Sequence, residues 1–210
     1  MCGRYVIKNT QRFKVKFHLD ELPLFEPRYN VAPTQSVPAV RAEDIKRELV
    51  MMHWGLIPSW AKDAKIGYRL INARADGVAT KPSFRSAFKR RRCLILTDGF
   101  YEWKKLDEGK QPYFIHMKDD ELFAFAGLWE SWHNPDDGEE VISCSIITTD
   151  ANKLMEPIHN RMPVILRAPV LGQKVCQRDA SHEAPQSLPE GGDRLSPRAW
   201  RCDSRVTVVP

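Results

Sequence analysis

The chain has 210 residues, 42% hydrophobic and 28% charged, a balance that fits one soluble globular domain with a sizeable core. Its apolar runs, such as residues 123–129, are far too short to cross a bilayer, and polar residues 8–12 stand where a signal peptide would need an apolar stretch. Five cysteines without C-x-x-C spacing argue against a disulfide framework or a zinc site and point to a reducing cytoplasm, while a net charge of +5 and a pI near 9.0 point to a polyanionic partner.

Cys2 comes first in chain order. A side chain this small behind Met1 normally lets the aminopeptidase remove the methionine, leaving a thiol and a free α-amine on one residue. The α-amine has a reference pKa of about 7.7–8.0, so a neutral fraction exists at pH 7. It can attack an aldehyde to give an imine, and the thiol can close on the imine carbon to form a thiazolidine. Many chains carry a second-position cysteine by chance, so the other segments decide.

The loop Pro27-Arg28-Tyr29-Asn30-Val31-Ala32-Pro33-Thr34-Gln35 reads as a turn-rich connection. Residues 37–40 and 48–54 have β-type apolar runs, with charged 41–47 as the turn between them. Trp54 and Trp60, in an irregular segment with Pro58, suit a stacking surface better than a core stripe. Residues 83–91 predict a short helix, with Ser83 as cap and Phe84 and Phe88 on one face. It carries Arg85, Lys89 and Arg90. Cations interleaved with aromatics suit single-stranded nucleic acid, although a solvated helix face explains them as well. Residues 93–97 predict a buried strand ended by Asp98-Gly99. Residues 113–117 and 122–129 predict a β-hairpin across 118–121, residues 141–148 a further strand, and 152–155 a helical turn. Strands this short and closely spaced make a doubly wound sheet unlikely and favour α+β. From about Arg167 the prolines and glycines multiply and periodicity is lost. The division expected is a catalytic domain over 1–166 and a divergent, poorly ordered segment over 167–210.

Two titratable residues stand out. Glu102, between Tyr101 and Trp103, is expected in an apolar setting that raises its pKa toward acid–base use, and His159 has an unperturbed pKa near neutrality. Taken singly, each is as readily a structural residue.

Together these segments resemble the SRAP family (SOS response-associated peptidase, or abasic site processing proteins). The resemblance rests on Met-Cys-Gly-Arg-Tyr, Arg-Tyr-Asn-Val-Ala-Pro-Thr-Gln, Trp-Gly-Leu-Ile-Pro-Ser-Trp, Asn-Ala-Arg-Ala, Arg-Cys-Leu-Ile with Asp-Gly-Phe-Tyr-Glu-Trp, and His-Asn-Arg-Met-Pro, in the family's order over residues 2 to about 166. It implies a mixed α+β fold with a barrel-like β core, outer helices and a basic groove for single-stranded DNA. It implies that Cys2 cross-links to abasic sites, shielding the lesion, with no cofactor or metal. Glu102 and His159 are implied as the acid–base pair and Asn72 as a hydrogen-bonding partner of the sugar or imine. Arg4 and Arg74 are implied at flanking phosphates, with Trp54, Trp60, Arg85, Lys89 and Arg90 along the DNA. A lyase activity, and less directly a self-release or peptidase activity, are implied too. A monomer in the cytoplasm, or on the nucleoid of a bacterium, is expected. The chain departs from the family after residue 166, where Trp200 and Val206–Val209 alone suggest its closing helix and strand.

Two other readings remain open on the residues alone. One is an N-terminal-nucleophile amidohydrolase or peptidase, with Cys2 attacking an amide and its own amine as base. The other is a non-enzymatic reader of single-stranded or modified DNA, for which Cys2 is dispensable.

Overall fold

The computed structural model describes residues 2–17, 19, 25–43, 46–167 and 206–209. In chain order these form β1 (Arg4–Ile7), α1 (Thr10–Phe17), β2 (Arg28–Val31), β3 (Ser36–Glu43), β4 (Lys46–Trp54), β5 (Asn72–Arg74) and α2 (Arg85–Arg90). Then follow β6 (Arg92–Thr97), β7 (Gly99–Lys105), β8 (Lys110–Met117), β9 (Phe123–His133), β10 (Glu140–Asp150), β11 (Arg161–Pro163), β12 (Ile165–Arg167) and β13 (Val206–Val209). Short 3-10 turns occupy Ala64–Arg69 and Lys118–Asp120.

Five of the strands close a barrel. β4 pairs β3, β3 pairs β6, β6 pairs β9 and β9 pairs β10, all antiparallel. β10 completes the ring by meeting β4 in parallel, Ser143 and Cys144 opposite His53 and Trp54. β6 shows why the chain supports this. Cys93 to Thr97 are all buried, because one face of the strand lines the barrel and the other is covered. The α+β expectation with a barrel-like core and outer helices is met.

A second sheet, in the order β13-β8-β7-β1-β2, lies against the barrel. Aromatic edges join the two layers: the Tyr5 ring is 5.2 Å from Trp54 and 5.7 Å from Phe125, and Phe100 is 5.7 Å from Phe125. Edge-to-face contacts of this kind add about 0.5–1.5 kcal/mol each beyond burial. α1 buries Phe13 and Phe17 in the same core. A smaller cluster packs Phe84 and Ala87 with Ala73 of β5, Leu128 of β9 and Ile147 of β10.

Three expectations are corrected. The charged 41–47 stretch is not all turn: β3 and β4 continue pairing through it, and Arg41 Nε bonds Glu48 Oε2 across the ladder at 2.9 Å. Residues 113–117 and 122–129 are both strands but not a hairpin, because β8 joins β7 and β13 while β9 joins β6 and β10. The connector between them passes from one sheet to the other. Trp54, expected on a stacking surface, is fully buried and donates Nε1–H to Ile71 O at 3.0 Å.

The helix expected over 83–91 spans Arg85–Arg90. Val206–Val209 does form a strand, registered from Val206 on Met117 to Val209 on Phe114. The rest of the expectation for 167–210, with Trp200, falls outside the described residues apart from Arg167, the last residue of β12.

Candidate functional site

The site is built where the two sheets meet at the start of the chain. β1 lies between β7 and β2 in the second sheet, with Arg4 opposite Tyr101 and Tyr5 opposite Phe100 of β7. Extending that register one step sets Gly3 opposite Glu102. Strand alternation sends Phe100 and Glu102 toward the barrel and Tyr101 and Trp103 to the other face. Glu102 is accordingly only 2% exposed. Its burial comes from the sheet–barrel packing and not from the two aromatic neighbours, which lie on the opposite face.

Cys2 is fully buried in the core between the layers. Its thiol points to Arg4 O at 3.9 Å, a long sulfur hydrogen bond. Burial pushes the thiol well above its ordinary pKa, and the nearby Glu102 carboxylate pushes it further in the same direction. The thiol is therefore held neutral at pH 7.

Asn72 comes from another element. β10 pairs with β4 as far as Cys144, and β5 then takes over the same edge, with Asn72 opposite Ile146 and Arg74 opposite Thr148. From there the Asn72 amide donates Nδ2–H to Cys2 O at 2.9 Å. Its Oδ1 is buried and has no hydrogen-bond partner among the described residues. Three sequence-expected residues, Cys2, Asn72 and Glu102, are thus brought together from the chain start, β5 and β7.

His159 lies on the segment returning to β11. Its Nδ1 accepts the backbone N–H of Arg161 at 3.0 Å, which places the proton of the neutral ring on Nε2. Arg161, which the sequence reading passed over, is 7% exposed and donates to Asp150 Oδ1 and to Thr148 O, tying this segment to β10. An arginine two residues past the singled-out histidine, just before the apolar 162–166 run, was the signal available for it.

The expected DNA contacts divide. Arg4 donates Nη1–H to Gly3 O at 2.7 Å and is half-buried. Arg74 is exposed but engaged by Asp76. Arg85, Lys89 and Arg90 are exposed on α2, and Trp60 is 58% exposed. Trp54 leaves the group, since a buried ring cannot stack on a base. Among the described residues no group of three or more His, Cys, Asp or Glu side chains could hold a metal ion, and no helix is long and apolar enough to cross a membrane.

The family model described as SOS response associated peptidase (SRAP) matches residues 1–206. The abasic site processing protein YoqW of Bacillus subtilis is 48% identical over 211 residues, covering 98% of this chain and 94% of its own. The abasic site processing protein HMCES of Xenopus tropicalis is 35% identical over 171 residues, covering 68% of this chain and 51% of its own. A crystal structure of a protein from Bacteroides thetaiotaomicron aligns with a TM-score of 0.80 at 27% identity, covering 99% of this chain and 90% of that one. One from Bordetella bronchiseptica aligns at 0.78 and 23% identity, covering 99% and 98%, a likeness of fold alone.

Proposed function

Because the chain belongs to the SRAP family, we propose that it processes abasic sites in single-stranded DNA, with mature Cys2 forming a thiazolidine cross-link to the lesion. The observation that carries this is the cluster at the chain start. A buried cysteine has its carbonyl held by Asn72, and its thiol is raised first by burial and then by the buried Glu102 carboxylate.

An abasic sugar is mostly closed hemiacetal, so ring opening must precede capture. Ring opening breaks the C1′–O4′ bond and moves the proton of the C1′ hydroxyl to the ring oxygen; His159, with its ring proton on Nε2, is suited to hydrogen-bond the charge developing on that oxygen as the C1′ aldehyde appears. The α-amine of Cys2 adds to that aldehyde, and loss of water leaves an imine. The thiol then adds to the imine carbon, its proton leaving sulfur and ending on the ring nitrogen. Since that thiol is neutral at pH 7, a base must take the proton as the C–S bond forms, and Glu102 is the carboxylate in place. Asn72 Oδ1, a buried acceptor, fits the N–H of the amine or of the protonated imine. Closure also removes the imine, which otherwise acidifies the C2′ proton and permits β-elimination, so lyase activity competes with cross-linking. Outside the centre, Arg4, Arg74, Arg85, Lys89 and Arg90 would follow phosphates and Trp60 would stack on a base.

The test is to mix Met1-processed protein with an abasic oligonucleotide and resolve the products on a denaturing gel. A heat-stable adduct is expected, absent for Cys2→Ala and for protein retaining Met1. A stable thiazolidine adduct from protein shown by mass spectrometry to keep Met1 would defeat the mechanism. Turnover of amides without any aldehyde dependence would favour the amidohydrolase, and a parent protein that binds the abasic strand without any adduct, equalled in binding by Cys2→Ala, would favour the DNA reader.

A further inference from the structure

Asp76 lies two residues beyond Arg74, just past β5, and the two side chains are 52% and 54% exposed. Arg74 gives Asp76 one whole edge of its guanidinium, Nε to Oδ1 at 3.1 Å and Nη2 to Oδ2 at 2.6 Å. Paired parallel donors of this kind accept a phosphate as readily as a carboxylate. On its other side, Asp76 Oδ1 is 4.0 Å from Nη2 of Arg161. One carboxylate therefore stands between two guanidiniums, directly after the strand that carries Asn72 to Cys2.

We propose that Asp76 is an intramolecular stand-in for a DNA phosphate, occupying Arg74 in the free protein until an incoming single strand displaces it. The inference rests on the reading that Arg74 contacts phosphate. Because the pair is exposed, displacement weakens binding by no more than about fivefold, the range measured for surface ion pairs. An intact strand bears that loss at equilibrium. A lesion-bearing strand is held afterwards by a covalent bond, so the loss does not limit its final capture. On a chain of net charge +5, which attracts any polyanion, Asp76 acts as a specificity residue against intact DNA.

The experiment is equilibrium binding of the mature protein to an intact fluorescent single strand across a salt series. Asp76→Asn should tighten binding by about two- to fivefold and keep a log–log salt slope at least as steep as the parent's, since Arg74 still makes its one phosphate contact. Asp76→Ser repeats the test with a shorter neutral side chain, and Asp76→Glu should bind as the parent does. Glu139→Gln removes the same charge from the exposed turn before β10 and should move affinity less. In an Arg74→Ala background, Asp76→Asn should change affinity no more than Glu139→Gln does. Binding that is unchanged or weaker in the neutral variants overturns the proposal, as does tightening beyond that of Glu139→Gln that persists without Arg74. An Arg74→Ala salt slope equal to that of the parent would instead remove the phosphate reading of Arg74, and the role of Asp76 with it.

Discussion

Glu102→Gln tests the reaction centre most sharply because it changes two quantities in opposite directions. It removes the carboxylate proposed to take the thiol proton. It also removes the charge that helps to hold the Cys2 thiol above its ordinary pKa, which by itself would make thiolate easier to form. Burial decides the balance. Desolvation is the larger cause of the raised thiol and survives the substitution, with Cys2 still enclosed between the layers. The thiol thus stays neutral at pH 7, and little is gained to set against a lost proton acceptor. General acid–base help is worth about 10²–10⁴-fold, so single-turnover cross-linking should slow by about that factor. Glutamine is close to glutamate in size and keeps the same ladder position, so the fold should hold. The assay is a denaturing-gel time course with saturating abasic oligonucleotide from about pH 6 to 9, beside intact-strand affinity. The parent rate should rise with pH as the α-amine, with a reference pKa of about 7.7–8.0, loses its proton. A Glu102→Gln rate equal to or above the parent's would refute proton transfer by Glu102 and leave its charge as an obstacle to the thiol.

Trp54→Ala should cost about 3–5 kcal/mol in thermal unfolding, whereas Trp60→Ala should leave the Tm in place and weaken strand binding by about 1–3 kcal/mol; equal thermal stability of the two variants would contradict the burial contrast. Arg74→Ala should reduce the salt slope on single strands by about 0.7, read by the same titration with or without a lesion. The Cys2 and Cys144 thiols are both raised by burial, so their protons are kept on folding and released on unfolding. Stability should therefore be unaffected by them below the ordinary thiol pKa of about 8.5 and fall above it by up to about 1.4 kcal/mol per pH unit for each thiol. Denaturant titrations should show Cys144→Ala losing about half of that slope. Gly55→Ala should destabilise the chain and slow cross-linking together, because at φ +141° its Cβ would sit 2.8 Å from Gly67 O, distorting the excursion that ends at Asn72.

Local pattern was a sound guide where one element settled the matter. The apolar run of β6 and the shared face of Phe84 and Phe88 were readable because each reflects burial of a single strand or helix. Partnership was not readable. The runs in β8 and β9 specify strands, but nothing local says that the connector between them changes sheets. Charge misled at residues 41–47, because exposed cross-strand partners such as Arg41 and Glu48 extend a ladder as readily as they end one. Trp54 is misread because Gly55 and Pro58 make its surroundings look irregular, while the core that buries it includes Tyr5 from the start of the chain. Of the centre, the thiol–amine chemistry of Cys2 was legible from the residue itself. Asn72 entered only by resemblance, since its hydrogen bond to Cys2 spans 70 positions.

The change of partner along β10 has a consequence for engineering. β4 leaves that edge at Trp54 and β5 rejoins it at Asn72, so residues 55–71 form a detour outside the ladder. Its two ends are fastened by Gly55 N–H to Cys144 O at 2.9 Å and Ile146 N–H to Ile71 O at 3.1 Å. The position of Asn72 is therefore set by β10 together with these anchors, and exposed positions of the detour that touch neither are free to vary. Exposed positions there, such as Ala64 and Lys65, are natural attachment points for a reporter dye or an inserted peptide, on a segment whose two ends are pinned to β10.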